Sequence, residues 1–157
     1  MYLYRRGKTK KGKIIKAITE SKTPAGYEQE IAYWRKANAI HSWFITNCAD
    51  GKDECQTILV SEEKLKELLK ILIEIDNSRK TEEEEAVEKS NFGDAPFGDA
   101  PLSTAERLLP TSSGFFFGET EYDDFYFDEV HNTIEIITNV LKETDFKNEK
   151  IEYEASW

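Results

Sequence analysis

Four side chains able to contact a ligand recur at helical spacing in one segment of the chain. They are Glu30, Trp34, Asn38 and His41. On a helix, this spacing places a carboxylate, an indole, an amide and an imidazole along one side. Burying such polar groups without partners would cost about 1–3 kcal/mol each, so the stripe predicts a contact surface for a small planar ligand or a peptide. Arg35, next to the indole, is included in this candidate site.

Two other interpretations of the same stripe stay open. Asn38 and His41 could tie the helix to a neighbouring loop through backbone carbonyls of residues 111–114. His41 could also act as a general base with Glu30 as its orienting carboxylate. No serine or cysteine is linked to this pair by spacing, so no catalytic residue is assigned. The enzyme alternative is therefore a small pocket centred on His41.

A second aromatic block, Gly-Phe-Phe-Phe-Gly, spans residues 114–118 and is followed by Tyr122. In a strand, alternation places Phe116 on the face opposite its two phenylalanine neighbours. One face should pack on helices and the other form a contact patch, so Phe116 and Tyr122 complete the candidate site. Acidic residues within 119–128 could bind magnesium, but acids in the first turns of a helix are favoured by its dipole. We expect no metal and no cofactor.

Charge is distributed unevenly along this 157-residue chain, whose formal net charge is −10. Residues 1–22 carry eight lysine or arginine side chains against one glutamate, and the remainder is strongly acidic. An acidic body argues against nucleic-acid binding as the main activity, because phosphate contacts need a basic surface. It is compatible with a basic partner surface, with imitation of DNA, or simply with solubility.

The chain shows no sign of membrane insertion or of a disulfide framework. No apolar run approaches the roughly 18 residues of a membrane span, and a signal-peptide core is missing, so no membrane partner is expected. Cys48 and Cys55 are too few for a disulfide scaffold. With His41 and His131 as the only histidines, they are also too sparse for a zinc site. This composition favours a reducing cytoplasm.

Apolar periodicity predicts the secondary structure. Helices are expected over residues 27–47, from the N-cap Ser61 through 62–75, and over 121–142 with Thr120 and Asp123 as a capping box. Strands are expected at 2–5, 13–18, 55–60, 114–118 and 151–155, the first two as a hairpin around a basic turn. These elements predict an α+β fold of two layers, with three helices packed on a small antiparallel or mixed sheet.

Residues 79–104 differ in character from the rest of the chain. They contain a run of four glutamates and the pentapeptide Phe-Gly-Asp-Ala-Pro twice in succession. Charge repulsion, glycine and proline leave too little apolar area to offset the entropy of ordering the chain. We therefore expect a single domain over residues 1–157, in which 79–104 is a disordered or loosely ordered acidic insert.

Three strings resemble a family of small uncharacterised proteins of tailed bacteriophages. They are Tyr-Trp-Arg-Lys-Ala-Asn-Ala-Ile-His-Ser-Trp-Phe at 33–44, Leu-Leu-Pro-Thr at 108–111, and Gly-Phe-Phe-Phe-Gly-Glu-Thr-Glu-Tyr-Asp at 114–123. The similarity covers about residues 27–60 and 106–142. It brings no activity, cofactor or catalytic residue. It implies synthesis in the cytoplasm of a host bacterium and an accessory role that modifies, inhibits or evades host machinery.

The sequence thus predicts a phage accessory protein that acts by binding and neutralises a host or defence component. The expected partner is a host protein or a small nucleotide-like ligand. The alternatives are a small enzyme with a pocket centred on His41 and an acidic inhibitor that mimics DNA. A homo-oligomer is compatible with the sequence.

Overall fold

The computed structural model describes residues 1–7, 20–23, 26–89, 103–113 and 120–156, with the backbone alone for 20–23 and 82–89. The strands expected at 13–18 and 114–118, and with them Phe116, lie outside the described residues. Within the described part of the chain, helices and an antiparallel sheet form the predicted α+β fold.

Five antiparallel strands form one sheet with the spatial order β2-β3-β1-β5-β4. The strands are β1 (Tyr2–Gly7), β2 (Glu20–Thr23), β3 (Gly26–Tyr33), β4 (Ile58–Val60) and β5 (Glu149–Glu154). The two ends of the chain meet in the middle of the sheet, where Leu3 of β1 lies opposite Tyr153 of β5. The predicted C-terminal strand is confirmed.

The hairpin expected between residues 2–5 and 13–18 involves a segment outside the described residues. In the described sheet, each residue of β1 from Tyr2 to Gly7 is paired with β5 along one edge, and β3 occupies the other edge.

The predicted first helix is wrong in its N-terminal part. Residues 26–33 form β3, and the helix α1 begins only at Asn38 and ends at Cys48. Pairing with β1 and β2 satisfies the backbone of β3, and this tertiary context overrides the helical spacing of its side chains. Glu30 therefore lies on a strand and not on the helix that carries His41. The predicted stripe of side chains from Glu30 to His41 along one helix is not formed.

The remaining helices are α2 (Glu62–Lys89), α3 (Thr104–Leu108) and α4 (Asp124–Glu143). The predicted cap of α2 is confirmed, because Ser61 Oγ accepts a hydrogen bond of 3.3 Å from the backbone N–H of Lys64. The predicted Thr120 cap of α4 is wrong, since Asp123 is the N-cap and accepts a bond of 3.1 Å from the Tyr126 N–H.

The segment expected to be a disordered or loosely ordered insert, 79–104, overlaps helix α2. Helix α2 continues to Lys89, so the first part of 79–104 is helical. Arg79 packs against α4, with Nη2 2.8 Å from Asp124 Oδ1 and its guanidinium carbon 4.4 Å from the centre of the Phe127 ring. Residues 90–102 lie outside the described part of the chain.

A core rich in aromatic side chains joins the sheet to the helices. The rings of Phe44 and Tyr153 stack with centroids 4.3 Å apart, and Trp34 is 1% exposed beside them. Trp34 Nε1 donates a hydrogen bond of 2.9 Å to Oγ1 of Thr133 on α4. The buried indole thus ties the chain between β3 and α1 to the last helix.

Candidate functional site

A cavity of about 390 Å³ lies where the N-terminal turns of α1 and α4 meet the chain that follows α3. It is lined by Arg35, Lys36, Ala37, Asn38, Ala39, Ile40, Leu109, Thr111, Glu121, Asp123, Phe125, Tyr126, Glu129 and Val130. A cavity of this volume can enclose a small molecule, since ligand pockets occupy about 300–1,000 Å³. We call the part contributed by 35–40 the α1 wall and the part contributed by 121–130 the α4 wall.

On the α1 wall, the helix begins without a side-chain cap. Ala37 is the N-cap residue, and the first helical bond runs from the His41 N–H to the Ala37 carbonyl at 3.0 Å. Among the described residues, none accepts a hydrogen bond from the N–H groups of Ala39 and Ile40. Free N–H groups at a helix start carry partial positive charge, so this wall favours an anionic group.

Two cations stand immediately before this helix. Arg35 and Lys36 are both exposed, and both line the cavity. Lys36 has φ of 64°, a left-handed conformation that costs a residue with a side chain about 1–3 kcal/mol. The turn brings the two side chains to the same mouth as the free N–H groups. The α1 wall therefore carries positive charge on its side chains and partial positive charge on its backbone N–H groups.

The α4 wall carries three carboxylates that differ in burial and in hydrogen bonding. Asp123 is engaged as the cap of α4, and Glu121 is exposed. Glu129 is half-buried, and desolvation by burial raises the pKa of its carboxyl above the ordinary value. A carboxyl of this kind can accept a hydrogen bond as an anion or donate one when protonated.

An aromatic ring faces solvent on the same wall. Phe125 is 83% exposed. Tyr126 beside it is partly buried, and its hydroxyl donates a hydrogen bond of 2.9 Å to the Leu109 carbonyl. Desolvation raises the pKa of this hydroxyl, which keeps it protonated as a donor. Phe125 is thus the ring available for stacking, while Tyr126 holds the chain after α3 in place.

Tyr122 supports this wall from behind. Its hydroxyl accepts a hydrogen bond of 3.1 Å from the backbone N–H of Thr111, and its ring meets that of Tyr126 edge to face with centroids 4.9 Å apart. Tyr122 is not among the lining residues. It positions the Thr111 segment.

Asn38 connects the α1 wall to the same segment. Its side chain is buried, and Oδ1 accepts a hydrogen bond of 3.2 Å from the Ser112 N–H. The sequence left open a link from Asn38 to backbone carbonyls of residues 111–114. Asn38 does bond to this segment, but its partner is a backbone N–H and not a carbonyl. Asn38 also lines the cavity, so one residue fixes the loop and contributes to the wall.

His41 belongs to a buried polar link. Its Nδ1 lies 2.8 Å from the Tyr153 hydroxyl, and its Nε2 lies 3.1 Å from Asp53 Oδ2. Because a carboxylate only accepts, Nε2 donates to Asp53, and in the neutral imidazole Nδ1 accepts from the hydroxyl of Tyr153, whose pKa is raised by burial. The expected pairing of His41 with Glu30 is wrong, since Asp53 is its carboxylate partner and β3 carries Glu30 elsewhere.

The predicted site residues fall into five groups. Arg35 and Asn38 line the cavity, Tyr122 supports it, Trp34 and His41 lie in the core, Glu30 lies on the sheet, and Phe116 is outside the described residues. Sequence reasoning missed Phe125 and Glu129. Phe125 had a detectable signal, because it lies off the apolar stripe of α4 and so places an aromatic ring on its polar side.

Among the residues that the structure describes, no three histidine, cysteine or acidic side chains are grouped as metal ligands would be. None of the helices in that part of the chain combines the length and apolar character needed to cross a bilayer. Comparison of the chain with protein-family models, with curated proteins and with solved structures gives no match.

Proposed function

We propose that this protein binds a small nucleotide-like ligand in the cavity between α1 and α4 and acts by sequestering it. The observation that carries the proposal is the composition of the two walls. One wall presents cations and free helical N–H groups, and the other presents an exposed aromatic ring and a partly buried carboxyl. A nucleotide combines an anion, a planar ring and polar edges in one molecule.

The α1 wall would take the phosphate. Backbone N–H groups at a helix start bind phosphate oxygens, as those of Ala39 and Ile40 could do here. Arg35 can add two parallel charge-assisted hydrogen bonds to one phosphate, and Lys36 adds a point charge. Since both cations lie on the cavity mouth, the phosphate would sit close to solvent.

The α4 wall would take the base. Stacking of a base on an aromatic side chain such as Phe125 contributes about 1–3 kcal/mol. Glu129 can accept from an exocyclic amino group of a base, or donate to a ring nitrogen when protonated. These two contacts differ in kind from those on the α1 wall, so the cavity distinguishes a nucleotide from inorganic phosphate.

The lining chemistry favours binding over turnover. Of the described lining residues, none is a histidine or a cysteine, and the hydroxyl of Thr111 donates to the Thr120 carbonyl at 2.9 Å. His41 lies in the core with both ring nitrogens engaged. The similarity to small phage proteins supports a role in which removal of a nucleotide signal disables a host or defence component.

Native mass spectrometry of the protein purified from bacterial cells tests this proposal. We expect part of the protein to carry additional mass. Denaturation should release this mass as a phosphorylated compound. Arg35→Ala and Phe125→Ala should each reduce that population several-fold. Arg107→Ala, an exposed arginine on α3, and Tyr33→Ala, an exposed aromatic on β3, are matched controls that should retain it. Retention of the compound by both cavity variants would contradict the proposed site.

A further inference from the structure

The face of the sheet opposite the core forms a second surface, which we call the outer sheet face. Leu3 of β1 is fully buried in the core, so alternation places Tyr2, Tyr4 and Arg6 on the other side. Opposite them on β3 are Tyr33, Glu30 and Glu28. Buried residues of the neighbouring strands, Ala32, Ile151 and Tyr153, lie on the core side.

Tyrosine rings form the centre of this surface. The Tyr2 ring lies 5.0 Å from that of Tyr33 and 6.0 Å from that of Tyr4, centroid to centroid. Tyr33 is 49% exposed, and Leu59 on the edge strand β4 is 59% exposed. Exposed aromatic area on an outward sheet face is typical of interaction sites, where tyrosine is enriched.

The outer sheet face already contacts one arginine of this chain, Arg6. The contacts of Arg6 indicate which chemical group the face prefers. Arg6 Nε donates to Glu28 Oε2 at 2.5 Å and Nη2 donates to Glu154 Oε1 at 3.1 Å, with Glu152 as a further ion-pair partner. Its guanidinium carbon is 5.6 Å from the centre of the Tyr4 ring. Three carboxylates surround Arg6, while Lys150 of β5 lies opposite it on the same face, so the carboxylates still outnumber the cations by one.

Glu30 adds to this excess. It is exposed beside the tyrosines, and no side chain in the described part of the chain lies within ion-pair distance of it. The terminal amine of Met1 has a Coulombic interaction with it. Arg6 is bound by carboxylates and lies near a tyrosine ring. Glu30, next to the tyrosines, offers the same kind of surroundings to a guanidinium group from another protein.

We propose that the outer sheet face docks an arginine-rich segment of a partner protein. Carboxylates attract the charge, and tyrosine faces select guanidinium over ammonium because guanidinium is planar, stacks on rings and pairs bidentately. A nucleic acid does not fit this face, since its phosphates would meet carboxylates. The face is distinct from the cavity, and this proposal does not depend on the nucleotide site.

Fluorescence anisotropy with a labelled peptide of alternating arginine and serine tests the proposal on the full-length protein. We expect the arginine peptide to bind at least about fivefold more tightly than the same peptide with lysine, because lysine keeps the charge and loses the planar group. A glutamate version should not bind. Affinity should fall about tenfold between roughly 50 mM and 500 mM salt, as charges are screened.

The double variant Glu30→Gln/Tyr33→Ala should weaken arginine-peptide binding at least about tenfold. Both residues are exposed, so its circular dichroism spectrum and melting temperature should match those of the unmodified protein. Asp128→Asn and Phe125→Ala on α4 are the matched controls, and they should bind the peptide normally. Amide chemical shift changes on titration should map to β1, β3 and β5.

Three results would overturn this inference. Equal affinity for arginine and lysine peptides would indicate attraction by net charge alone. Shift changes confined to α1 and α4 would place the peptide in the cavity. Self-association of the protein that the double variant abolishes would show that the face joins two copies of the chain. Loss of nucleotide binding in Phe125→Ala with normal peptide binding would separate the two proposed sites.

Discussion

The Nδ1 atom of His41 lies 2.8 Å from the hydroxyl of Tyr153, a residue 112 positions later in the chain. This hydrogen bond joins α1 to the C-terminal strand inside the core, and the other ring nitrogen continues to Asp53. The imidazole of His41, which the sequence offers as a general base, is therefore a buried structural link between α1 and β5. The groups proposed to bind a ligand lie instead on the two walls of the neighbouring cavity.

Tyr153→Phe should destabilise the protein by about 1–3 kcal/mol, because it leaves a buried nitrogen of His41 without its donor. Urea unfolding followed by circular dichroism measures this loss. Tyr33→Phe removes a hydroxyl from an exposed tyrosine, and it should change the free energy of unfolding by less than about 0.5 kcal/mol. Equal effects of the two substitutions would show that the buried bond contributes nothing.

Asp123→Ala should lower the free energy of unfolding by about 0.5–2 kcal/mol, because it removes the side chain that caps α4. Thr120→Ala should have little effect, since the described residues bond Thr120 only through its backbone carbonyl, which accepts from Thr111. Chemical denaturation of both variants distinguishes these positions. The reverse ranking would restore Thr120 as the start of the helix.

Glu129 should make stability depend on pH. Its folded-state pKa is raised by desolvation, so the folded protein holds this proton more strongly than the unfolded chain does. The stabilising contribution is fully present below the unfolded pKa of about 4.3 and is lost as pH rises through the folded pKa. Glu129→Gln should therefore raise the melting temperature at neutral pH, with the gain shrinking in acid.

Glu135→Gln is the matched substitution on the same helix, because the side chain of Glu135 is 70% exposed. At neutral pH it should change the melting temperature less than Glu129→Gln does, since an exposed carboxylate keeps its hydration. A gain for Glu129→Gln that is constant from acid to neutral pH would mean that ionisation of Glu129 plays no part in its effect.

The two cysteines should differ in reactivity. Burial raises the pKa of the Cys48 thiol to about 11, whereas Cys55 is exposed. Iodoacetamide at mildly alkaline pH should modify Cys55 first, because the thiolate is the reacting form and access is needed. Peptide mapping by mass spectrometry measures both rates, and Cys48 should react quickly only after denaturation. Equal rates in the folded protein would contradict the burial of Cys48.

The elements with clear periodicity were predictable from the sequence. Helix α2 follows the apolar series at 65, 68, 69, 72 and 75, and β5 follows strict alternation; both depend on patterns within a few residues of each other. Strand β3 was not predictable in this way. Its Glu-Gln-Glu-Ile-Ala sequence has little strand preference. Its state is decided by pairing with the neighbouring strands β1 and β2, which the spacing of its own side chains does not indicate.

The candidate site was predictable only in part for the same reason. Arg35 and Asn38 stand next to a conspicuous aromatic string, so local reasoning reached them. Their partners on the α4 wall, Phe125 and Glu129, follow about 90 residues later and meet them only through the packing of α4 on the core. Spacing along one segment cannot indicate which surface a distant helix will bring beside it.

Calorimetric titration of a nucleoside monophosphate, compared with the unphosphorylated nucleoside, tests the nucleotide site most directly. We expect the monophosphate to bind at least about tenfold more tightly, because in the proposed site Arg35 and the free N–H groups of α1 contact only the phosphate. In Arg35→Ala this preference should shrink several-fold, while Arg107→Ala keeps it. Absence of binding across purine and pyrimidine monophosphates, or a preference that Arg35→Ala leaves intact, would contradict the account.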